Sequence, residues 1–177
     1  PDGVTSIGES SFDDCSSLTA IKVAEGNTVF DSREECNALI HTATNALIRG
    51  CQNTIITNSV TSIQSDAFYG CSSLTSITIP NSVTNIGDGV FSGCSSLTSI
   101  VVAEGNTVYD SREKCNAIID TATNTLIYGC KSTIIPDSVT SIGNFAFNRC
   151  ESLTEITIPN SIKSIGYKAF SICKSLK

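Results

Sequence analysis

A repeated segment limits what this chain can fold into. The segment VTSIGESSFDDCSSLTAI, which begins at Val4, recurs in close variants from Val60, Val83, Val139 and Ile162. The short interval from Val60 to Val83 returns unchanged from Val139 to Ile162, and the long interval from Val4 to Val60 returns from Val83 to Val139. Fixed short periods of this kind are typical of proteins in which small structural units stack on one another. We therefore expect an array of stacked coils rather than a single globular core.

A second, longer unit is interleaved with the short one and occurs twice. The stretches 24–59 and 103–138 are identical at 26 of 36 positions. The long coils themselves occupy about 24–56 and 103–135, and a duplicated block explains their similarity. We interpret residues 1–177 as one continuous solenoid. We expect it to be a piece of a longer array, because both ends fall inside a coil and no initiator Met is present.

Apolar residues hold fixed positions within each short coil. The pattern at Ile77 and Ile79 predicts a short strand with Thr78 on its opposite face. Further along, the spacing AF-x-x-C-x-x-L is that of a short helical turn. Stacking would place the strands side by side in a parallel sheet, about 4.7–4.9 Å apart. The pattern thus predicts an α/β repeat solenoid with one short parallel strand per repeat. We disfavour a parallel β-helix, which usually needs three strands per coil.

Each long coil has two short apolar runs around a polar turn, which predicts a β-hairpin insertion. If Ile119 faces Leu126 in the hairpin, Cys115 faces Cys130. The equivalent residues of the first copy are Ile40, Leu47, Cys36 and Cys51. A cross-strand disulfide is one interpretation. The other is a free thiol in the core, because Cys130 also holds the repeat position that Leu74 occupies.

The five remaining cysteines share one repeat position, so we expect them to form an internal column of buried thiols. They are Cys15, Cys71, Cys94, Cys150 and Cys173. No C-x-x-C motif is present, and a linear column does not build a tetrahedral metal site. We therefore predict no metal site among them. The acidic pair Asp13 and Asp14 lies on the variable solvent side of one turn, and we do not read it as a calcium site.

Composition excludes several classes of function. The net charge of −6 argues against nucleic-acid binding, which needs a basic face. No apolar stretch approaches the length of a membrane span. The single histidine, His41, is replaced by Asp120 in the second long coil, so a catalytic role there is disfavoured. Neither a nucleophile elbow nor a phosphate-binding glycine motif occurs. We expect no enzymatic activity and no cofactor.

The stretches 74–100 and 153–176 resemble the BspA-like leucine-rich-repeat family, and the resemblance extends over essentially the whole chain. It rests on seven apolar or Cys positions whose spacing is kept through five copies. The resemblance implies a right-handed leucine-rich-repeat coil. It also implies a secreted or cell-surface protein, because known members are mostly of this kind, and several are adhesins that bind host matrix proteins or other cells.

Two surfaces are candidates for binding. The outward residues of the strands form a sheet face that includes Lys22, Ser76, Thr78, Ser99, Val101, Glu155 and Thr157. The long-coil loops add Phe30, Arg33, Tyr109 and Arg112, residue types that protein interfaces favour. The alternative is that these two aromatics pack over the hairpins and the two arginines form surface ion pairs.

We expect a non-enzymatic module that recognises a protein partner, such as a host matrix or cell-surface protein. We also expect the terminal coils, which lack caps, to fray or to associate with a second molecule. An architectural spacer that presents another domain is an alternative. A carbohydrate-binding surface is another, with exposed aromatic platforms among Phe30, Tyr69, Tyr109, Tyr128 and Tyr167.

Overall fold

Short strands make up most of the regular structure. The computed structural model describes residues 1–8, 10–13 and 15–177, so Asp14 lies outside the described residues. The strands are β1 (Phe30–Asp31), β2 (Leu39–His41), β3 (Ala46–Arg49), β4 (Ser62–Ile63), β5 (Ser76–Ile79), β6 (Asn85–Ile86), β7 (Ser99–Val102), β8 (Tyr109–Asp110), β9 (Ala117–Asp120), β10 (Thr125–Gly129), β11 (Ser141–Ile142) and β12 (Ser164–Ile165). Two 3-10 turns, Arg33–Glu35 and Arg112–Lys114, are the helical elements of this part of the chain.

The strands form three sheets that follow the duplicated block. One five-stranded sheet has the order β1-β2-β3-β4-β6, and its counterpart has the order β12-β11-β10-β9-β8. Each contains an antiparallel three-stranded unit from a long coil and continues with two-residue parallel strands from the following coils. The third sheet pairs β5 with β7 in parallel.

The expected position of the strand is wrong for most short coils. The strand that joins successive coils lies at the S-I or N-I dipeptide, as β4, β6, β11 and β12, and the coil of β5 has this strand in addition to the I-x-I strand. Sequence periodicity does not signal it because a two-residue strand shows no alternation. The expected I-x-I strand pairs with its neighbour only between β5 and β7 within the described residues.

The long coils interrupt the predicted I-x-I ladder. The backbone N–H of Val23 donates to Ser32 Oγ at 3.0 Å, and that of Ile55 donates to the carbonyl of Cys36 at 3.0 Å. The loop that contains the 3-10 turn thus lies between the runs that end at Val23 and Ile56. The second copy repeats this insertion, with Val102 bonded to Ser111 Oγ and Ile134 to the Cys115 carbonyl.

The predicted hairpins are present, and the predicted pairs Ile40–Leu47 and Ile119–Leu126 are confirmed. A β-bulge then shifts the register in both copies. The inference that each hairpin places its two cysteines opposite each other is therefore wrong. All nine cysteines are free thiols in the structure. Cys51 Sγ donates to the carbonyl of Asn37 at 3.3 Å, and Cys130 Sγ does so to Asn116 at 3.4 Å.

The helical part of the expected α/β class is also wrong, since the described part of the chain contains no α-helix. The AF-x-x-C segments are turns. Some of their backbone N–H groups donate to carbonyls of the same coil, and others donate to carbonyls of the next coil. Cys71 N–H donates to the Phe68 carbonyl at 3.0 Å, whereas Phe68 N–H donates to Val90 in the next coil at 3.0 Å. Asp66 has φ of 57°, which an α-helix cannot accommodate. The segments therefore join the coils laterally.

The interior is built from the repeat positions that the sequence marks as apolar. Phe68 stacks on Phe91 with ring centroids 5.4 Å apart, and Phe147 stacks on Phe170 at 5.0 Å. The predicted thiol column is buried at three of its positions, Cys71, Cys94 and Cys150. The prediction is wrong for Cys15, which is exposed, while Cys173 is half-buried. These two belong to the outermost coils, each of which packs against one neighbouring coil.

Within the described residues, the structure holds no helix whose length and apolar character would let it cross a bilayer. The same residues contain no group of three or more His, Cys, Asp or Glu side chains arranged to hold a metal ion.

Candidate recognition surface

One repeat position projects outward from every coil. We call its residues the outward column: Lys22, Ile55, Thr78, Val101, Ile134 and Thr157, all of them exposed. Strand alternation explains the exposure of Thr78 and Val101, because the residues on either side of each are buried. In the first long coil, Thr54 and Ile56 are buried while Ile55 is 67% exposed.

Three members of the outward column are large and apolar. Ile55, Val101 and Ile134 are 67%, 44% and 74% exposed. Single exposed apolar residues are normal on protein surfaces. Here three of the seven large apolar side chains exposed in the described chain share one repeat position, so their placement is not scattered. The shared repeat position places all three on the same side of their coils.

Ile55 and Ile134 are the residues that the sequence-based selection missed. They are equivalent residues of the two long coils, and they precede Ile56 and Ile135 as Thr78 precedes Ile79. This one-residue offset from a buried isoleucine is visible in the sequence, and it assigns both residues to the outward face. Hydrogen bonds fix this orientation, because the Thr54 hydroxyl donates to the Asn37 carbonyl at 2.7 Å and so holds its side chain inward.

The other predicted sheet-face residues flank the outward column. Ser76 and Glu155 are exposed and Ser99 is half-buried. Ser76 and Ser99 are direct partners in the parallel register of β5 and β7. Their small side chains leave the apolar members of the outward column prominent.

The long-coil loops lie on this same face, so two surfaces considered separately in the sequence come together. The bond from Val23 N–H to Ser32 Oγ places the first loop beside Lys22. Lys22 and Glu35 line a recess of about 240 Å³ between the apolar run that ends at Val23 and this loop. The remaining lining residues are Ile21, Val23, Ser32 and Asn37.

The two loop aromatics do not reach this face. Phe30 and Tyr109 are 6% and 7% exposed, as expected for strands that pair with the hairpins. The Phe30 ring meets His41 edge-on, with centroids 5.8 Å apart. Burial raises the pKa of the Tyr109 phenol. Both rings therefore stabilise the interior, and their selection as surface contacts does not fit their position.

The two loop arginines tie each loop to its hairpin. Arg33 Nε donates to Asp31 Oδ1 at 2.8 Å, and its Nη1 donates to Asn45 Oδ1 at 2.8 Å. Arg112 makes the corresponding bonds to Asp110 and Asn124, each at 2.9 Å. These contacts occupy both guanidinium groups within the chain.

The same contacts set the charge of the acidic partner. Burial by itself would raise the pKa of the Asp31 carboxyl, but hydrogen bonds from Arg33 and Thr42 hold it below its ordinary value. Hydrogen bonding to Asp31 likewise raises the pKa of Arg33. The pair stays charged at neutral pH and holds the loop in place.

The first loop has an uncommon backbone conformation. Glu34, Glu35 and Asn37 have φ of 57°, 51° and 51°. In the second copy, the equivalents Glu113, Lys114 and Asn116 have φ of 57°, 54° and 52°. Non-glycine residues in this region cost of order 1–3 kcal/mol each, so they persist only where surrounding contacts hold them. The arginine contacts fix the start of each loop, and Asn37 and Asn116 bond through their side chains to the carbonyls of Asn53 and Ser132, each at 3.3 Å.

The remaining aromatic residues do not form a shared platform. Tyr128 is buried, and Tyr69 is half-buried beneath the Arg149 guanidinium at 5.4 Å. Tyr167 is 63% exposed and lies on a turn segment away from the outward column.

A comparison with protein families identifies the repeat. A family model described as the BspA type leucine rich repeat region matches six copies, over residues 1–46, 42–118 and 120–177. The chain belongs to the BspA-type leucine-rich repeat family. Comparison with curated proteins finds no match.

Several solved structures of bacterial proteins are similar in fold to this chain. A leucine-rich cell surface protein from Faecalibacterium prausnitzii A2-165 is 28% identical with a TM-score of 0.64, over 94% of this chain and 42% of its own. A leucine-rich repeat protein from Eubacterium ventriosum is 22% identical with a TM-score of 0.53, over 100% of this chain and 57% of its own. The pneumococcal vaccine antigen PcpA is 22% identical with a TM-score of 0.59, over 72% of this chain and 35% of its own. The chain thus spans roughly a third to somewhat over half of these proteins.

Proposed function

We propose that this chain is a non-enzymatic protein-recognition module of a secreted or cell-surface protein, built as a right-handed solenoid. The observation that carries the proposal is that Ile55, Val101 and Ile134 are exposed apolar side chains at one repeat position, the outward column. The name of the Faecalibacterium neighbour, a cell surface protein, supports this location. The partner is a matrix or cell-surface protein of a host.

The chemistry of the surface fits such a partner. Apolar groups in the middle of an interface supply most of its binding energy, and polar groups at the rim add specificity. Here the small residues Ser76 and Ser99 flank the outward column, and the charged Lys22 and Glu35 lie at one end. The loop conformations are held by intramolecular contacts, so binding would order few additional side chains.

The double variant Ile55→Thr with Ile134→Thr tests the proposal. Threonine already occupies this position at Thr78 and Thr157, so the strands should retain their backbone conformation. Fully burying an isoleucine contributes about 1.5–3 kcal/mol, so each substitution should weaken binding by about tenfold or more. Biolayer interferometry against a panel of purified matrix proteins, with labelled host cells in parallel, measures this loss.

The matched control is Tyr167→Thr, which removes an exposed apolar side chain outside the outward column and should leave affinity unchanged. Equal binding by the wild-type chain and the double isoleucine variant would contradict the proposed surface. Absence of any bound protein would instead favour an architectural spacer.

A further inference from the structure

The two long-coil loops carry opposite charges at one equivalent position. Glu35 of the first copy corresponds to Lys114 of the second, and both side chains are exposed. Neither forms an ion pair within the described part of the chain. Their backbone conformations match, with φ of 51° and 54°. The duplicated block thus presents an acid and a base in the same local setting.

Hydrogen bonds place Lys114 in line with the outward column. The carbonyl of the residue that follows it accepts from the N–H of Ile134 at 3.1 Å. On the other side of the loop, Ser111 Oγ accepts from the last N–H of β7 at 3.0 Å. Lys114 therefore lies between Val101, which belongs to β7, and Ile134.

The first copy has the same arrangement. Its loop bonds to the run of Lys22 on one side and to Ile55 on the other, each at 3.0 Å, so Glu35 lies between these two residues. Together with the loop residues, the outward column becomes what we call the extended column. Its exposed side chains follow in the order Lys22, Glu35, Ile55, Thr78, Val101, Lys114, Ile134 and Thr157.

The extended column is complementary to itself when its direction is reversed. Thr78 lies two places from Glu35 and two places from Lys114. A two-fold axis beside Thr78 places Glu35 of one chain opposite Lys114 of a second chain, and Ile55 opposite Val101, and symmetry makes each of these contacts occur twice. A parallel arrangement would oppose each charged residue to its own copy, and opposed like charges are costly. Charge thus selects the reversed arrangement.

Two further acids in the loops, Glu34 and Glu113, have the same charge in both copies. Each lies close to the arginine of its own loop. Hydrogen bonding to its aspartate partner raises the pKa of Arg112, and the charge of Glu113 adds to the rise. Glu34 acts in the same way on Arg33. Their charges are therefore balanced within the loops, which leaves Glu35 and Lys114 to face a partner.

We propose that two copies of this chain associate through their extended columns, in reversed orientation, as a symmetric dimer. Two ion pairs form, and the exposed side chains of Ile55 and Val101 lose their contact with water. The dimer covers the surface proposed above for recognition, so a host protein binds only after the two copies separate. This regulatory role rests on the proposed function, whereas dimer formation does not.

Charge reversal in the purified full chain tests the pairing, with sedimentation velocity to measure the dissociation constant of the dimer. The wild-type chain should dimerise, and less tightly as the salt concentration rises. Glu35→Lys, which installs the residue of the second copy, should weaken the dimer by about tenfold or more, because it opposes two lysines at each of two contacts. Lys114→Glu should have the same effect. Combining the two substitutions restores opposite charges and should return the affinity to that of the wild-type chain.

The matched control is Asp137→Lys, which makes the same change of charge as Glu35→Lys at an exposed turn outside the extended column. It should leave the dimer unchanged. A wild-type chain that stays monomeric at every concentration would overturn the proposal. So would self-association that charge reversal does not alter, as expected for contacts between chain ends, or a combined variant as weak as the single ones. Host-protein binding is measured separately, so its failure would leave the dimer result standing.

Discussion

Asn106 joins two neighbouring coils through a single side chain. Its amide nitrogen donates to the carbonyls of Pro80 and Val83, each at 2.9 Å. Its amide oxygen accepts from the backbone N–H groups of Val108 at 3.0 Å and Tyr109 at 2.9 Å. These bonds fix where the long coil begins relative to the coil before it. Asn27 makes the same four contacts in the first copy.

Replacing Asn106 with alanine should lower the free energy of unfolding by about 2–4 kcal/mol, because several part-buried backbone groups lose their partners. Urea denaturation measures the change. Asn106→Asp retains the acceptor and should cost less, whereas Asn58→Ala, at an exposed position, should be close to neutral. A neutral Asn106→Ala would show that the side chain does not secure the long coil.

At the level of elements, a glycine at the end of each hairpin forms a backbone hydrogen bond to the next coil. Gly50 N–H donates to the Ala67 carbonyl at 2.8 Å, and Gly129 N–H donates to that of Ala146 at 3.0 Å. A Cβ atom at Gly50 would overlap the ring of Phe68, and one at Gly129 would overlap Phe147. The close approach of ring and backbone therefore requires glycine at both hairpin ends.

Gly129→Ala should destabilise the protein by about 1–3 kcal/mol, the usual cost of overfilling a core. Gly50→Ala should behave in the same way because it belongs to the same motif. Gly3→Ala is the matched control, since an added Cβ there meets nothing within 4 Å. Chemical denaturation of the three variants compares them, and equal stability of Gly129→Ala and Gly3→Ala would refute the packing argument.

On the scale of the whole molecule, two buried apolar clusters shield several thiols. Burial raises the pKa of Cys71 to about 11 and that of Cys150 to about 12, and it raises the pKa of Cys94 as well. In the unfolded chain these thiols ionise near pH 9, their ordinary value. Above that pH the unfolded chain binds fewer protons than the folded protein, so stability must fall as pH rises.

The folded protein should therefore lose stability between pH 9 and pH 11, by about 1.4 kcal/mol per thiol for each pH unit. Below pH 9 the contribution of these thiols is complete and constant. Denaturation midpoints measured across this range test the effect, and Cys71→Ala should show a shallower decline than the wild-type chain. Parallel pH profiles for the two proteins would rule out linkage through Cys71.

The sequence by itself determined the repeat lengths, the duplicated block, the two hairpins and most of the buried positions. These features follow from local apolar spacing, and the pairs Ile40–Leu47 and Ile119–Leu126 could be matched because a polar turn centres them. The BspA-type repeat was recognisable for the same reason, because its apolar positions recur at constant intervals.

Only the tertiary structure decided how the coils pair and what their surfaces present. The long-coil loop interrupts the I-x-I ladder, because the backbone N–H of Val23 bonds to Ser32 instead of to the next I-x-I run. In the hairpin, a bulge shifts the register so that Cys36 and Cys51 are not opposite each other. Phe30 is buried for the same nonlocal reason. Arg49 occupies a repeat position equivalent to that of Tyr128, yet its surroundings make a polar cleft instead of an aromatic core. Periodicity identifies positions, whereas packing between distant segments sets their exposure and their hydrogen bonds.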